Sequence, residues 1–214
     1  FFGGSICDMP RGTSSTAWFH NVFGFDEGTY SATRAKFVVS DGGLTLKSLA
    51  NGVVFDIGAF EVLRTESLQS ALENITWPNV LGRLTFKNVT GCVRSLHADP
   101  ANAGAVFQVA SQFNCLEMVG PSVRPEDGVS RYAGDPTQGP ACALCCPAAT
   151  VYRNYFVNGN GQGGNRQVDT LSEVAQLVQN QKEGYWDMVN GYCLPKDPKC
   201  MSRLGARLQA DPAL

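Results

Sequence analysis

Gly104-Ala105-Val106-Phe107-Gln108-Val109-Ala110, running straight into Ser111-Gln112-Phe113-Asn114, is the stretch on which the fold turns. Its near-continuous apolar character suits a strand buried on both faces of a sheet, because a half-buried strand would alternate. Upstream, Arg83-Leu84-Thr85-Phe86-Lys87-Asn88-Val89 does alternate, as an edge or near-edge strand would. Residues 91–102 separate the two, with Asp99-Pro100 as a turn or helix start. Strand, short crossover and strand make the pattern of a parallel sheet. The expectation for 81–214 is thus one compact α/β unit, its mixed, mostly parallel central sheet flanked by helices.

Outward from that stretch the signals are local. Towards the N-terminus, Trp18, Phe19, Val22 and Phe23 recur at helical spacing, with Ser15 or Thr16 as N-cap and Gly24 as the stop. This predicts one short amphipathic helix. Three β-like runs follow at 36–40, 44–48 and 53–57, parted by Asp41-Gly42-Gly43 and Asn51-Gly52. Asp-Gly and Asn-Gly accept the positive φ of tight hairpins, so the runs predict a β-meander, with a helix next near 67–74. Residues 1–80 are expected to pack as helix plus meander on the main unit. Towards the C-terminus, 158–164 holds four glycines and reads as a flexible loop. Thr170-Leu171-Ser172-Glu173 has the form of a capping box opening a helix through about residue 179. Asp197-Pro198 opens a last helix with Leu204 and Leu208 on one face.

Composition narrows the function classes. Charged residues make up 17% of the chain and hydrophobic ones 43%, which excludes a disordered tail or a coiled coil. A net charge of −2 offers no general attraction to nucleic acid or to an anionic membrane, so neither is expected as a partner. No apolar run is long enough to span a bilayer, and no transmembrane segment is expected. Phe1-Phe2-Gly3-Gly4 has neither an initiator Met nor a basic signal region, so the chain reads as beginning inside a longer or processed product. Eight cysteines are many for a cytosolic chain yet few for a disulfide framework over 214 residues. The sequons Asn74-Ile75-Thr76 and Asn88-Val89-Thr90 are no more than chance supplies. The lean is to a soluble protein in a reduced intracellular compartment.

Groups suited to chemistry gather between 108 and 154: Gln112, Asn114, Glu117, Glu126, Asp127, Tyr132, Thr137, Gln138, Gly139, Arg153 and Asn154. In open α/β sheets ligands bind beyond the carboxyl ends of strands, where helix N-termini offer unpaired amides. Phe86-Lys87-Asn88-Val89-Thr90-Gly91-Cys92-Val93-Arg94-Ser95-Leu96, together with the apolar run ending at Asn114, resembles the opening of a macrodomain. Residues 128–141 are similar to the glycine-rich and Gln-Glu-Glu segments of the poly(ADP-ribose) glycohydrolase branch. Residues 138–156 resemble a block found in microbial proteins of uncharacterised activity.

The resemblance implies a macrodomain-like fold over 81–214 that binds ADP-ribose or a related nucleotide-sugar, and, in enzymatic form, an ADP-ribosyl glycohydrolase. By that likeness Gln112 and Asn114 would position the ribose, and the main chain of Thr137, Gln138 and Gly139 would meet the diphosphate. Tyr132, Arg153 and Asn154 would complete the ligand site, with Glu117 or Asp127 as the acid; no cofactor and no metal is implied. The chain departs from the family pattern in carrying Cys92 at the usual acidic adenine contact, in lacking three consecutive glycines, and in placing Gly139-Pro140 at the paired glutamates. Those departures suit the alternative function, a non-enzymatic structural or assembly subunit of a larger complex that keeps a degenerate α/β fold and binds protein partners.

Each residue also has a plainer reading. Asn114 at a strand end caps its own turn, Gln138-Gly139 is a turn and helix start, and Glu126-Asp127 is a solvated N-cap pair. Arg153, between Tyr152 and Tyr155, makes an internal salt bridge or stacks at the surface. Cys142-Ala143-Leu144-Cys145-Cys146 with Cys193 and Cys200 admits a zinc site or a redox dithiol, against small core residues of a closely packed helix.

Overall fold

The computed structural model describes residues 17–40, 42–74, 85, 87, 89, 93–105, 112–135 and 138–210. The first helix, α1 (Ala17–Phe23), buries Trp18, Phe19 and Phe23 on one face. It stops where the Gly24 N–H reaches the His20 carbonyl at 2.7 Å with φ at +80°. A short helix α2 (Tyr30–Arg34) leads into the meander of β1 (Phe37–Val39), β2 (Thr45–Ser48) and β3 (Val54–Asp56), all antiparallel in the order β1-β2-β3. Asn51-Gly52 makes the second turn, with the Asn51 carboxamide accepting from Val53 N–H and Gly52 at φ +75°. Period-two alternation follows from the pleat: Phe37, Leu46 and Ser48 face inward, while Val38, Lys47 and Val54 stand side by side on the outer face.

Beyond the meander, α3 (Thr65–Glu73) is exposed along its length. Then come α4 (Val93–Ala98), α5 (Gln138–Cys145) and α6 (Pro147–Tyr155), with short 3₁₀ turns at Pro100–Asn102, Pro125–Asp127, Ser130–Gly134 and Val157–Gly159. The C-terminal part holds α7 (Ser172–Leu177), α8 (Asn180–Glu183), the antiparallel hairpin of β4 (Trp186–Val189) and β5 (Tyr192–Pro195), and α9 (Cys200–Ala210).

The expected central parallel sheet is overturned. Among the described residues the sheets are the three-stranded meander and the two-stranded hairpin, both antiparallel. Residues 85, 87 and 89 are neither helix nor strand, and 106–111, the heart of the apolar run, lie outside the described residues. The physical reason is that a short apolar run fits a buried irregular segment or helix as well as a strand. The link that should have been a crossover is a six-residue helix and a 3₁₀ turn, after which Gly104 reverses the chain at φ +78°.

Instead of a sheet, an aromatic core organises the molecule. Phe19, Phe23, Phe25 and Phe37 meet edge-on or tilted at 4.8 to 6.3 Å, the geometry that ring quadrupoles favour. Leu116, Met118, Val129, Tyr132, Val151 and Tyr155 complete the same cluster from the later part of the chain. Hydrogen bonds hold the two parts in register: Trp18 Nε1 donates to the Ser130 carbonyl (2.7 Å), Tyr30 Oη to that of Asn154 (2.7 Å), and Arg34 to those of Tyr155 and Gly159 (2.9 and 2.8 Å). A second, smaller core of Val178, Tyr185 and Trp186 is flanked by Leu171, Ala175, Cys193 and Leu204.

Local expectations meet the structure at three points. Thr170 and Glu173 do not form a capping box: the Thr170 hydroxyl donates to the Phe113 carbonyl, and the Glu173 carboxylate accepts from Thr65 N–H and Oγ at 3.0 and 2.8 Å. The glycine-rich segment, read as a loop, has its centre, Gly161 to Gly163, buried. Finally, α9 buries Cys200 and packs Leu204, while Leu208 stays exposed. No helix of the described residues is long and apolar enough to cross a membrane.

Candidate functional site

The loop 112–118 is the centre of the polar architecture. Phe113 is tied on both sides, its N–H to the Gly191 carbonyl and its own carbonyl to the Thr170 N–H, each at 2.9 Å. Two residues on, the chain turns with Cys115 at φ +60°, a left-handed conformation uncommon outside glycine. Asn114 is fully buried. Its Oδ1 accepts the Leu116 N–H (3.0 Å) and its Nδ2 donates to Gln167 Oε1 (3.0 Å). Gln167 passes the chain on, donating to Asn190 Oδ1 (2.9 Å), and Asn190 donates to the Pro121 carbonyl (2.7 Å). A Cβ at Gly191 would overlap the Asn114 carboxamide, so only glycine fits there.

A second buried amide closes the loop from behind. Gln162 Nε2 donates to the carbonyls of Asn114 (2.8 Å) and Arg153 (3.1 Å), and its Oε1 accepts from Val168 N–H (3.0 Å). Asn154, also without exposure, donates to the Pro125 carbonyl at 3.0 Å. Its Oδ1 has no hydrogen-bond partner among the described residues.

Glu117 turns to α5. A Cβ at Gly139 would overlap the Glu117 carboxylate, so that carboxylate occupies the first turn of α5, where a negative charge is favoured. The Glu117 N–H donates to the Tyr132 hydroxyl (2.9 Å), and burial pushes the Tyr132 phenol well above its ordinary value. Burial also pushes the Cys115 thiol up, with the Arg153 guanidinium opposing and Glu117 adding to the rise. Arg153 Nη2 donates to Thr150 Oγ1 (3.1 Å), while its Nε has no partner among the described residues. Gln112 Nε2 and Tyr192 Oη both donate to the Met118 carbonyl.

Of the residues read as a ligand site, Gln112, Asn114, Glu117, Tyr132, Gly139 and Arg153 thus meet around one loop, with Asn154 one layer behind. Asp127 is elsewhere: it is exposed, and its Oδ2 accepts the Arg124 N–H (2.8 Å), capping the 3₁₀ turn whose first residue, Pro125, is buried. Thr137 and the Gln138 side chain lie outside the described residues. Glu126 Oε1 accepts the Gly164 N–H at 2.7 Å, and its charge adds to the burial that pushes the Tyr30 phenol up to about 12. No group of three or more metal-ligating side chains is present among the described residues.

One acidic residue escaped the reading of the sequence. Glu27 accepts the N–H groups of Val129 (2.8 Å) and Ser130 (2.7 Å) and the Tyr155 hydroxyl (2.6 Å), which joins three separate segments on one carboxylate. Burial, followed by this carboxylate, drives the Tyr155 phenol far up.

Chemically, the cluster is a network in which the Asn114 and Gln162 amides are bonded at both polar atoms and the Glu117 carboxylate lies against α5, while Asn154 Oδ1 and Arg153 Nε have no hydrogen-bond partner among the described residues. A cleft of about 430 Å³ lies beside it, between residues 164–169 and the tip of the β4–β5 hairpin. No protein-family model, no curated protein and no solved structure matches this chain.

Proposed function

We propose that this chain is a non-enzymatic assembly subunit that docks on a partner protein through the outer face of its three-stranded sheet. One observation carries the reading: the central polar side chains of the candidate site, Asn114, Gln162 and Glu117, are engaged by the protein itself. Both polar atoms of the Asn114 carboxamide are bonded internally, Gln162 spans two loops, and the Glu117 carboxylate fills the first turn of α5. An anion-binding helix start that already holds a carboxylate has no room for a diphosphate.

The meander supplies a surface for a partner. Val38 and Val54 flank Lys47 on the outer face and are 49% and 56% exposed, while Leu44 and Leu49 stand exposed in the two turns. An apolar row interrupted by one cation suits a protein interface, with its apolar centre and paired charges, better than a lipid surface. The test is recovery from the native source. Wild-type chain is expected in a stoichiometric complex, and the double variant Val38→Glu, Val54→Glu, altered only at outward positions, is expected alone. A wild-type chain recovered as a monomer, or a double variant still in complex, overturns the proposal.

A second reading, binding of ADP-ribose or a related nucleotide-sugar, is favoured by the convergence of Gln112, Asn114, Glu117, Tyr132, Gly139 and Arg153 on one loop, and by the unpartnered Arg153 Nε. It requires Glu117 to leave Gly139 and Asn114 to give up its internal partners.

A further inference from the structure

We propose that Cys193 and Cys200 are a reversible dithiol–disulfide pair that clamps α9 onto the β4–β5 hairpin. Cys193 lies on β5 opposite Met188 and packs against the small core of Val178, Tyr185 and Trp186. Leu204 of α9 packs on that same core. Residues four apart share a helix face, so Cys200, the first residue of α9 and fully buried, faces the hairpin together with Leu204.

The link between the two cysteines is held in place rather than free to swing. Lys196 N–H donates to the Tyr185 carbonyl (3.2 Å), and Lys196 Nζ pairs with Asp187 at 3.0 Å. Asp197 accepts from Lys199 N–H (2.7 Å) and from Arg203 Nη1 (2.9 Å), fixing the start of α9. Neither cysteine is bonded to another in this structure, and the proximity of Cys200 adds to the burial that raises the Cys193 thiol.

Oxidation needs a partner disulfide, for which oxidised glutathione serves. Cys193, the partly exposed thiol, loses its proton and attacks one glutathione sulfur; the glutathione S–S bond breaks and one glutathione thiolate leaves. Cys200 then loses its proton, attacks the Cys193 sulfur and expels the second glutathione as its thiolate. Two thiol hydrogens and two electrons pass from the protein to glutathione.

The test is peptide mapping of the folded chain after incubation with oxidised glutathione and alkylation. Trypsin cuts at Lys196 or Lys199, between the two cysteines, so the bond joins two tryptic peptides that reduction separates. The expected result is that joined pair, two hydrogens lighter than the separate thiol peptides, with the melting temperature of the oxidised chain raised. The variant Cys200→Ser is expected to stop at a glutathione adduct on Cys193. Alkylation of both cysteines after oxidation, or linkage of either to a different cysteine, would overturn the proposal, and neither result depends on how the variant folds.

Discussion

Asn114 shows how a residue suited to a ligand becomes part of the frame instead. Its carboxamide caps the Leu116 N–H and starts the relay through Gln167 to Asn190. Removing it leaves a buried N–H and a half-buried amide oxygen without this partner, so Asn114→Ala should lower stability by about 1–3 kcal/mol. Urea unfolding reads this as a lower midpoint with an unchanged slope; an unchanged midpoint would contradict the role. Glu27 is the sharper case, because its carboxylate serves main chain 102 residues further on and the Tyr155 hydroxyl. Glu27→Gln keeps the shape but gives up the charge-assisted bonds to Val129 and Ser130, and a loss of about 1–3 kcal/mol in the same experiment is expected. Nothing local marks Glu27, which stands between Asp26 and Gly28 with neither periodicity nor motif. Asn114 was legible as a loop cap because its partner Leu116 is two residues away, whereas its bond to Gln167 was not.

At the scale of elements, α3 depends on a carboxylate from α7. Glu173 accepts from Thr65 N–H and Oγ and pairs with Arg64 at 3.4 Å, and the Thr65 N–H, first among these, holds its carboxyl below the ordinary value. A depressed carboxylate contributes stability that is present above its unfolded value and is lost as pH falls through the folded one. The start of α3 should therefore loosen in acid: hydrogen exchange at its first amides, corrected for intrinsic rate, should gain protection between about pH 3 and about pH 6. In Glu173→Gln that gain should shrink; a variant with the wild-type profile would assign the tether to another group.

Elements whose cause is local were readable. The Asn51-Gly52 turn and period-two alternation mark the meander, and the aromatic spacing marks α1. The rule that identifies Asn51-Gly52 also fits Asn190-Gly191, which the sequence reading passed over; there φ is +48° and +81°, and β4 and β5 pair around it. Replacing Gly191 by Ala imposes both a disfavoured φ and an overlap with Asn114. We expect it to lower the melting temperature more than Gly52→Ala, whose Cβ would meet nothing; equal losses would mean that φ alone matters.

At the scale of the molecule, the aromatic core joins α1 and the meander to α5, α6 and the loop between Leu116 and Tyr132. The apolar run at 104–110 suggested a different centre, a parallel sheet, because a short apolar run does not by itself distinguish a strand from other structure; among the described residues both sheets are antiparallel. Burial of polar groups was equally hidden: composition places Gln, Asn and Glu near one another, and only the fold decides whether they face a ligand or each other. Here they face each other, with Glu117 against Gly139 and Gln162 between Asn114 and Arg153.

The most direct test of that claim is a titration of the isotope-labelled chain with ADP-ribose to millimolar concentration, following the side-chain amide signals of Asn114 and Gln162 and the backbone signal of Gly139. A frame already satisfied from within predicts that all three stay where they are. Saturable movement of the Asn114 and Gly139 signals together would contradict it and place a nucleotide-sugar at that loop.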